Sequence, residues 1–329
     1  LRRGMTVFFR NATNARNLND LLPAMTRENL RRIALCTDDR QPPDLLEEGG
    51  IDAMLRTVIQ SGVPPMEAIR LATLNPSEHY GLRDRGGRSP GRRADLVVLD
   101  DLAALEVHQV FSGGLKAAEK GESLPWDVPS HPKPPAPSMK IGKEALDFRI
   151  SARAGKARVI RVIPHQIVTE TEEVIPSTAG GQVCSDPSRD LLKIAVIDRH
   201  TGSGRVGLGL VRGVGLHRGA MAGTVAHDHH NLVVIGADDL SMRTAAVEVA
   251  RMEGGLTVCL EDGVLARLPL PIGGLMSLKP IEEVSLDLEG VIVAARNLGS
   301  PLHDPFMAMA YLCLDVIPSL KITDQGLVD

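Results

Sequence analysis

Aromatic side chains are scarce: five Phe, two Tyr and one Trp make up 2% of 329 residues. Leu, Val, Ile, Met and Ala must therefore fill the core, and binding of nucleic acid by base stacking is not expected. Cysteine is equally sparse. Cys36, Cys184, Cys259 and Cys313 form no Cys-x-x-Cys pair and lie too far apart to suggest a disulfide framework, so a reducing, cytoplasmic setting is expected. No apolar run reaches the ~18 residues of a membrane-spanning helix, and no membrane partner is expected. Neither sign of charge dominates: 37 Lys and Arg stand against 41 Asp and Glu, a net charge of −4. That balance lacks the basic footprint of a DNA- or RNA-binding protein. The opening residues, LRRGMTVFFR, contain no leader-like layout and do not begin with Met. They run from a basic segment straight into a strand-like run, and the expectation is of a piece that starts inside a fold.

What is present is ordinary for a globular protein: 43% hydrophobic and 24% charged residues. The length suits roughly two domains of about 150 residues each. Short apolar runs at 6–10 and 32–37 read as buried strands, and 17–31 as a pair of helices. In 51–61, Ile51, Met54, Leu55, Val58 and Ile59 recur at three- and four-residue intervals, the pattern of an amphipathic helix with Asp52 in its first turn. Pro64 and Pro65 open a second helix that closes near Asn75–Pro76. This alternation of strand and helix predicts α/β organisation. From 85 to 124 the pattern turns to short strands, including 94–100 and 107–114. Residues 125–138, PWDVPSHPKPPAPS, carry too much proline for helix or central strand and read as a linker. Beyond it, strand-like runs at 157–163, 191–197, 205–212, 232–236 and 256–260, with amphipathic helices at 240–253 and 305–314, read as a second α/β or α+β domain.

Three motifs bear on chemistry. Residues 224–231, TVAHDHHN, place His227, Asp228, His229 and His230 side by side. On an extended strand His227 and His229 would share a face, a familiar way to hold a divalent ion, and Asp228 and His230 would share the other. Residues 202–207, GSGRVG, have the outline of a dinucleotide fingerprint, but the following LGLVRGVGL reads as strand rather than as the helix whose N-terminus would hold a pyrophosphate. Asp38 directly follows a buried strand. There a carboxylate can ligate a metal and carry a proton to or from bound water, or simply cap a turn. Arg10, at the end of the first strand, faces either a substrate or an ion-pair partner.

The segment LCTDDRQPPDLLEEGGIDAMLRTVIQSGVPPMEAIRLATLNPSEHYGL, with GRSPGRRADLVVL after it, resembles the last barrel strand and closing segment of the amidohydrolase superfamily. GTVAHDHHN, LPLPIGGLMS and IPSLKITDQGLVD resemble the C-terminal domain of its adenine deaminases, in the same order. The resemblance implies residues 1–84 as the end of a metal-dependent (β/α)8 hydrolase barrel and 85–124 as a small β-sandwich segment. The Pro-rich linker 125–138 follows, then 139–329 as an α/β adenine deaminase C-terminal domain. It implies hydrolysis of adenine to hypoxanthine and ammonia, in purine salvage, at manganese or iron. Asp38 matches the family's metal-binding, proton-moving Asp. Asp39, Arg10, His227, Asp228 and His230 are the candidate substrate-binding or site-shaping residues. A homo-oligomer is expected. The family's other ligands lie upstream of anything in this chain, so no activity is expected of it alone. Two departures stand out: Arg10-Asn11-Ala12-Thr13 replaces Arg-Glu-Gly-Ser, and Gly49–Gly50 replaces Gly-His. His229 stands where the family has Ser, so the His-x-His pair is not a family feature. The competing readings are another purine or cyclic amide as substrate, or a non-catalytic scaffold.

Overall fold

A computed structural model describes residues 3–14, 16–125 and 139–329. It divides into two compact units, Leu1–Pro132 and Lys133–Asp329. Of the expected linker, only Pro125 is among the described residues.

The first unit opens with β1 (Val7–Arg10) and β2 (Ile33–Cys36), paired in parallel with Val7 beside Ile33 and Arg10 beside Cys36. Both are short continuous apolar runs, as strands covered on two faces must be. The stretch between them is not a helix pair. It holds one turn of α-helix, α1 (Leu18–Leu21), and two 3-10 turns, because Pro23 removes an amide donor where α1 would continue. Four helices follow: α2 (Pro42–Glu47), α3 (Ile51–Gln60), α4 (Pro65–Ala72) and α5 (Leu74–His79). α3 buries Met54 and Val58 and half-buries Ile51, Leu55 and Ile59, the stripe its spacing predicts. Asp52 fixes its first turn, accepting the Gly50 N–H at 2.8 Å and pairing with Arg56 at 2.6 Å. The second predicted helix is broken at Thr73 into α4 and α5. Buried Asn75 then donates to the Leu30 and Ile33 carbonyls at 2.8 and 2.7 Å and ties α5 to the head of β2. Strands β3 (Leu96–Asp101), β4 (Glu106–Ser112), β5 (Leu115–Glu119) and β6 (Glu122–Ser123) form one antiparallel meander.

The second unit is built on an eight-stranded sheet. A small three-stranded sheet of β7 (Ile150–Ser151), β10 (Thr178–Ala179) and β11 (Gln182–Val183) accompanies it. The large sheet holds β8 (Ala157–Val162), β9 (Thr169–Val174), β12 (Leu192–Ile197), β13 (Val206–Arg212), β14 (Ala220–Gly223), β15 (Leu232–Gly236), β16 (Gly255–Leu260) and β17 (Gly263–Pro269). Their order is β17-β16-β14-β15-β12-β13-β8-β9, antiparallel except where β13 meets β8. Both faces are covered. α6 (Asp239–Arg251) packs Met242, Ala245, Ala246 and Val249 on Ala195, Ala220, Ala222 and Val234. On the opposite face α7 (Ile281–Asn297), α8 (Pro305–Tyr311) and the hairpin β18 (Lys321–Thr323)–β19 (Gly326–Val328) bury Leu288, Val291, Met309 and Ile322 against Ile194, Val196, Val233 and Ile235. Strands covered on both sides lose the alternation that marks a half-exposed strand, and β12 is buried at all six positions.

The first four residues of GSGRVG are a loop and the last two open β13, with no helix behind them. Asp198 organises that loop. It accepts N–H donors from His200 at 3.0 Å and Thr201 at 3.2 Å, and hydroxyls from Ser203 at 2.5 Å and from Thr201. Gly202 and Gly204 supply the left-handed backbone the turn requires. Its glycines therefore serve a turn around a buried carboxylate.

Candidate functional site

In the first unit, the polar side chains gather where β1 and β2 end. Arg10 is the last residue of β1 and Cys36 the last of β2, and they lie in register. Two residues on, Asp38 takes a left-handed backbone, φ 58°, a conformation that Asp tolerates better than most residues. The Arg10 guanidinium Nη1 donates to Asp38 Oδ2 at 2.9 Å and Nη2 reaches Asn17 Oδ1 at 3.5 Å. Both side chains of the pair are partly open to solvent. The sequence left Arg10 between substrate and ion pair; the structure shows the ion pair, made with the very carboxylate singled out as a candidate ligand. Asp39 is half-buried, and its carbonyl accepts the Thr13 N–H at 3.5 Å.

A second layer holds Thr13 and Arg16 in place. Thr13 Oγ1 donates to Asp44 at 2.5 Å and accepts the Gln41 N–H at 2.8 Å. Arg16 reaches Asp44 at 3.3 Å and Glu48 at 2.9 Å, and Arg40 also binds Glu48. Glu48 titrates low: burial works against its charge, but Arg16 and Arg40 outweigh burial. The sequence reading did not find this lattice. Its signal was the spacing of Asp44 and Glu48, one helical turn apart on α2 and its end.

In the second unit the TVAHDHHN stretch is not a strand. β14 and β15 stop pairing at Gly223 and Val233, and residues 227–229 form the turn between them. The His230 N–H closes it on the Ala226 carbonyl at 2.6 Å, and His230 is left-handed at φ 49°. Alternation therefore does not apply: the His227 and His230 rings lie 6.1 Å apart, tilted by 50°, while His229 turns to a different partner. His227 stacks on Tyr311 with centroids 5.0 Å apart, His229 Nε2 lies 3.2 Å from Asp315 Oδ2, and His230 Nδ1 accepts the Ala226 N–H at 3.3 Å. Asp228 is exposed. Burial lowers the pKa of His230, with His227 and Arg199 adding to the effect. Among the described residues no group of three or more His, Cys, Asp or Glu gathers as metal ligands.

The turn is nonetheless held from several sides. Arg199, 1% exposed, donates to the carbonyls of His230 and, at 2.8 Å, of Gly273. Gly274 lies against its guanidinium so closely that a Cβ there would sit 2.8 Å from Nη1, which accounts for the second glycine of LPLPIGGLMS; the first, Gly273, has a left-handed backbone, φ 64°. Thr224 donates to the Gly274 carbonyl at 2.6 Å. Asn231 reaches Asp324 at 3.4 Å, and Arg205 pairs with Asp324 at 2.9 Å. Buried Lys321 donates to the Ile167 and Tyr311 carbonyls at 2.8 and 3.0 Å. The segments 223–231, 268–277 and 317–329, widely spaced in sequence, thus meet around one turn. Arg199, Tyr311, Asp324 and Lys321 escaped the sequence reading. The helix that carries Tyr311 was legible from its apolar spacing and from Asp304–Pro305, a capping residue before a proline at the head of α8, but nothing local marked Tyr311 itself.

Comparison with known proteins agrees with this division. Residues 5–117 match the amidohydrolase family, and residues 166–329 match the adenine deaminase C-terminal domain. Along its whole length the chain is similar to adenine deaminases. It is 49% identical over its whole length to an adenine deaminase of Desulfatibacillum aliphaticivorans, spanning 58% of that protein. It is 42% identical to one of Oleidesulfovibrio alaskensis and 44% identical to one of Cereibacter sphaeroides, matched over its full length and covering 57% and 58% of them. The chain therefore spans less than two thirds of the relatives it matches.

Proposed function

We propose that this chain forms part of a metal-dependent hydrolase that converts adenine to hypoxanthine and ammonia. The observation that supports this reading most is the end-to-end similarity, at 42–49% identity, to proteins named adenine deaminase. In this proposal residues 1–84 close a (β/α)8 barrel and residues 85–124 add to a β-sandwich. The parallel pair β1–β2, with chemistry-bearing side chains at its C-terminal end, suits that reading, since barrel enzymes keep their sites there.

Asp38 is the proposed catalytic residue and metal ligand. An Asp carboxylate is a hard oxygen donor of the kind manganese or iron accepts. The described residues supply this one donor without a cluster around it. A bound metal would supply an activated water. What this chain contributes is the placing of Asp38: the Arg10 guanidinium aims one oxygen, leaving the other carboxylate oxygen for a ligand or proton. Thr13, Arg16, Asp44 and Glu48 hold the loop beside it. Asp39 in the first unit is proposed to be site-shaping, and so, separately, are His227, Asp228 and His230 in the second. A cytoplasmic homo-oligomer serving purine salvage completes the proposal.

The test uses the protein extended to the length of its relatives and loaded with manganese. Ammonia release is expected with adenine and not with guanine or cyclic amides. Asp38→Asn should lower turnover by roughly 10²–10⁴, the usual worth of a positioned proton carrier. No release from adenine by the extended protein would sink the reading.

A further inference from the structure

We propose that the cleft where the small and large sheets of the second unit meet binds a small organic phosphate, a phosphate monoester on an apolar body. The cleft has a volume of about 510 Å³ and is lined from β7 and β11 on one side and β8 and β13 on the other. That size suits a small ligand. Its floor is aliphatic: Ile150, Val183 and Leu208. Val183 is buried with Val159, Leu191 and Leu210, and Ile150 packs on the same group. Leu208 joins the core beneath α6. The floor is therefore continuous with the packed interior and keeps its shape without a ligand. Pairing fixes the small sheet beside it, with Val183 opposite Ile150 and the Ala152 N–H donating to the Gly181 carbonyl at 2.9 Å. Gly155, left-handed at φ 111°, turns the chain from β7 into β8.

The occupant follows from the charge of the rim. Arg149, Arg153 and Lys156 reach the cleft, and among the described residues no Asp or Glu lines it. In a chain of net charge −4, an opening of one sign is a local departure that draws anions. The three cations are unequally engaged. Arg149 gives Nε and Nη2 to Asp147 and keeps Nη1. Lys156 faces Glu173 loosely, at 3.6 Å, with both side chains mostly exposed. Arg153 is exposed and, among the described residues, has no hydrogen bond or ion pair. A carboxylate would need only one of them. Three cations at one opening suit the dianion of a phosphate monoester, with a charge of about −2 near pH 7 and oxygens that match a guanidinium fork. Phosphate alone would leave the aliphatic floor unused, so the ligand carries an apolar body. The lining holds no aromatic ring on which a base could stack, which separates the cleft from a nucleic-acid surface. The inference does not rest on the hydrolase reading: no residue of the cleft belongs to the Asp38 site or to the TVAHDHHN turn.

Titration calorimetry on the full chain, with phenyl phosphate as the probe, tests it. A dissociation constant below about 1 mM is expected at low salt, rising as salt is added. Inorganic phosphate, which lacks the body, and benzoate, which lacks the second charge, should each bind at least about ten-fold more weakly. Arg153→Gln and Lys156→Gln should each weaken phenyl phosphate by about ten-fold, and Ala154→Glu, which sets an acid in the cleft, should abolish binding. All three positions are exposed, so the melting temperature should stay that of the wild type. Arg161→Gln, on β8 but outside the cleft, should leave the affinity unchanged. No binding of phenyl phosphate at millimolar concentration, equal affinity for inorganic phosphate or benzoate, or an affinity indifferent to R153Q and K156Q would each overturn the proposal.

Discussion

Replacing Gly207 by Ala should loosen the C-terminal hairpin and, through it, the TVAHDHHN turn. Gly207 lies on β13 directly beneath β18–β19. A Cβ there would come 1.9 Å from the Thr323 carbonyl oxygen, 2.8 Å from the Gly326 nitrogen and 3.1 Å from Gly326 Cα. All three are backbone atoms, so no rotamer relieves the clash; the hairpin itself must rise by more than an ångström. Two terms favour the substitution: burial of a methyl, about 0.8 kcal/mol, and a stiffer unfolded chain, roughly 0.4–1 kcal/mol. Against them stand partial withdrawal of Ile322 and Leu320 from the core, each fully buried, and displacement of Asp324 from Arg205 and Asn231. Losses at buried aliphatics of 2–5 kcal/mol are usual when the site cannot refill, so a net destabilisation of about 3 kcal/mol is expected. For a unit of this size that lowers the melting temperature by roughly 6–12 °C. Calorimetry should show it, with hydrogen exchange accelerated over residues 320–328. Gly209→Ala is the comparison: its Cβ meets Ile322 Cδ1 at 3.1 Å and Leu327 Cδ2 at 3.3 Å, side-chain tips that can swing, and about 1 kcal/mol is expected. If Gly207→Ala melts with the wild type, or Gly209→Ala is the worse of the two, the steric reasoning is wrong.

Asp198→Ala should cost about 2–3 kcal/mol at pH 7, since it leaves buried N–H and hydroxyl donors without their acceptor. Burial alone would raise the Asp198 pKa, but those donors hold it far below the usual range. A depressed carboxylate stabilises above its unfolded pKa near 4 and loses that contribution as pH falls further, so wild type and variant should converge in melting temperature as the pH drops below about 4. Lys321 is depressed as well, but by burial and at the alkaline end. Burial pushes its pKa down to about 8, so between there and its unfolded value near 10.4 the unfolded chain binds more protons and stability climbs with pH. Urea unfolding should show the difference between wild type and Lys321→Met shifting in favour of the wild type from pH 8 to 10; a constant difference refutes the assignment.

Local pattern carried much of the fold. α3 and α6, and strands β1, β2, β8, β12, β13, β15 and β16, lie within a residue or two of where apolar spacing put them, and α8 starts as expected but ends three residues short. The misses have particular causes. β14 is AMAG, too small and too short to read as a strand, and it is placed only by pairing on both sides. β9, TETEEV, reads as a charged loop until Arg161 and Arg212 are seen beside its glutamates. α7 lacks a side-chain cap at its N-terminus, and apolar residues on both its faces blur the helical period. At the candidate site, Arg10 and Asp38 were legible because strand ends are. Their pairing was not, because it joins residues 28 apart. The histidine cluster misled for the same reason in reverse: proximity in sequence suggested a shared direction that the turn does not give.

The second unit is most unusual in where it keeps its buried cations. Arg199 and Lys321 are each 1% exposed, and both donate to backbone carbonyls next to the turn or to the helix beside it. Taking a cation out of water costs several kcal/mol, and a well-packed apolar residue is often as stable or more so. Stability alone is then a poor reason for either residue. What each supplies that Met or Leu could not is a donor at a fixed place. Arg199 fixes the carbonyl of His230, and Lys321 fixes that of Tyr311, whose ring carries His227. The two imidazoles that match the family, rather than the His-x-His pair that first catches the eye, are the ones so held. The arrangement is that of a turn whose side chains must be in one place, as a substrate-shaping or packing role requires, and not of a metal-binding strand.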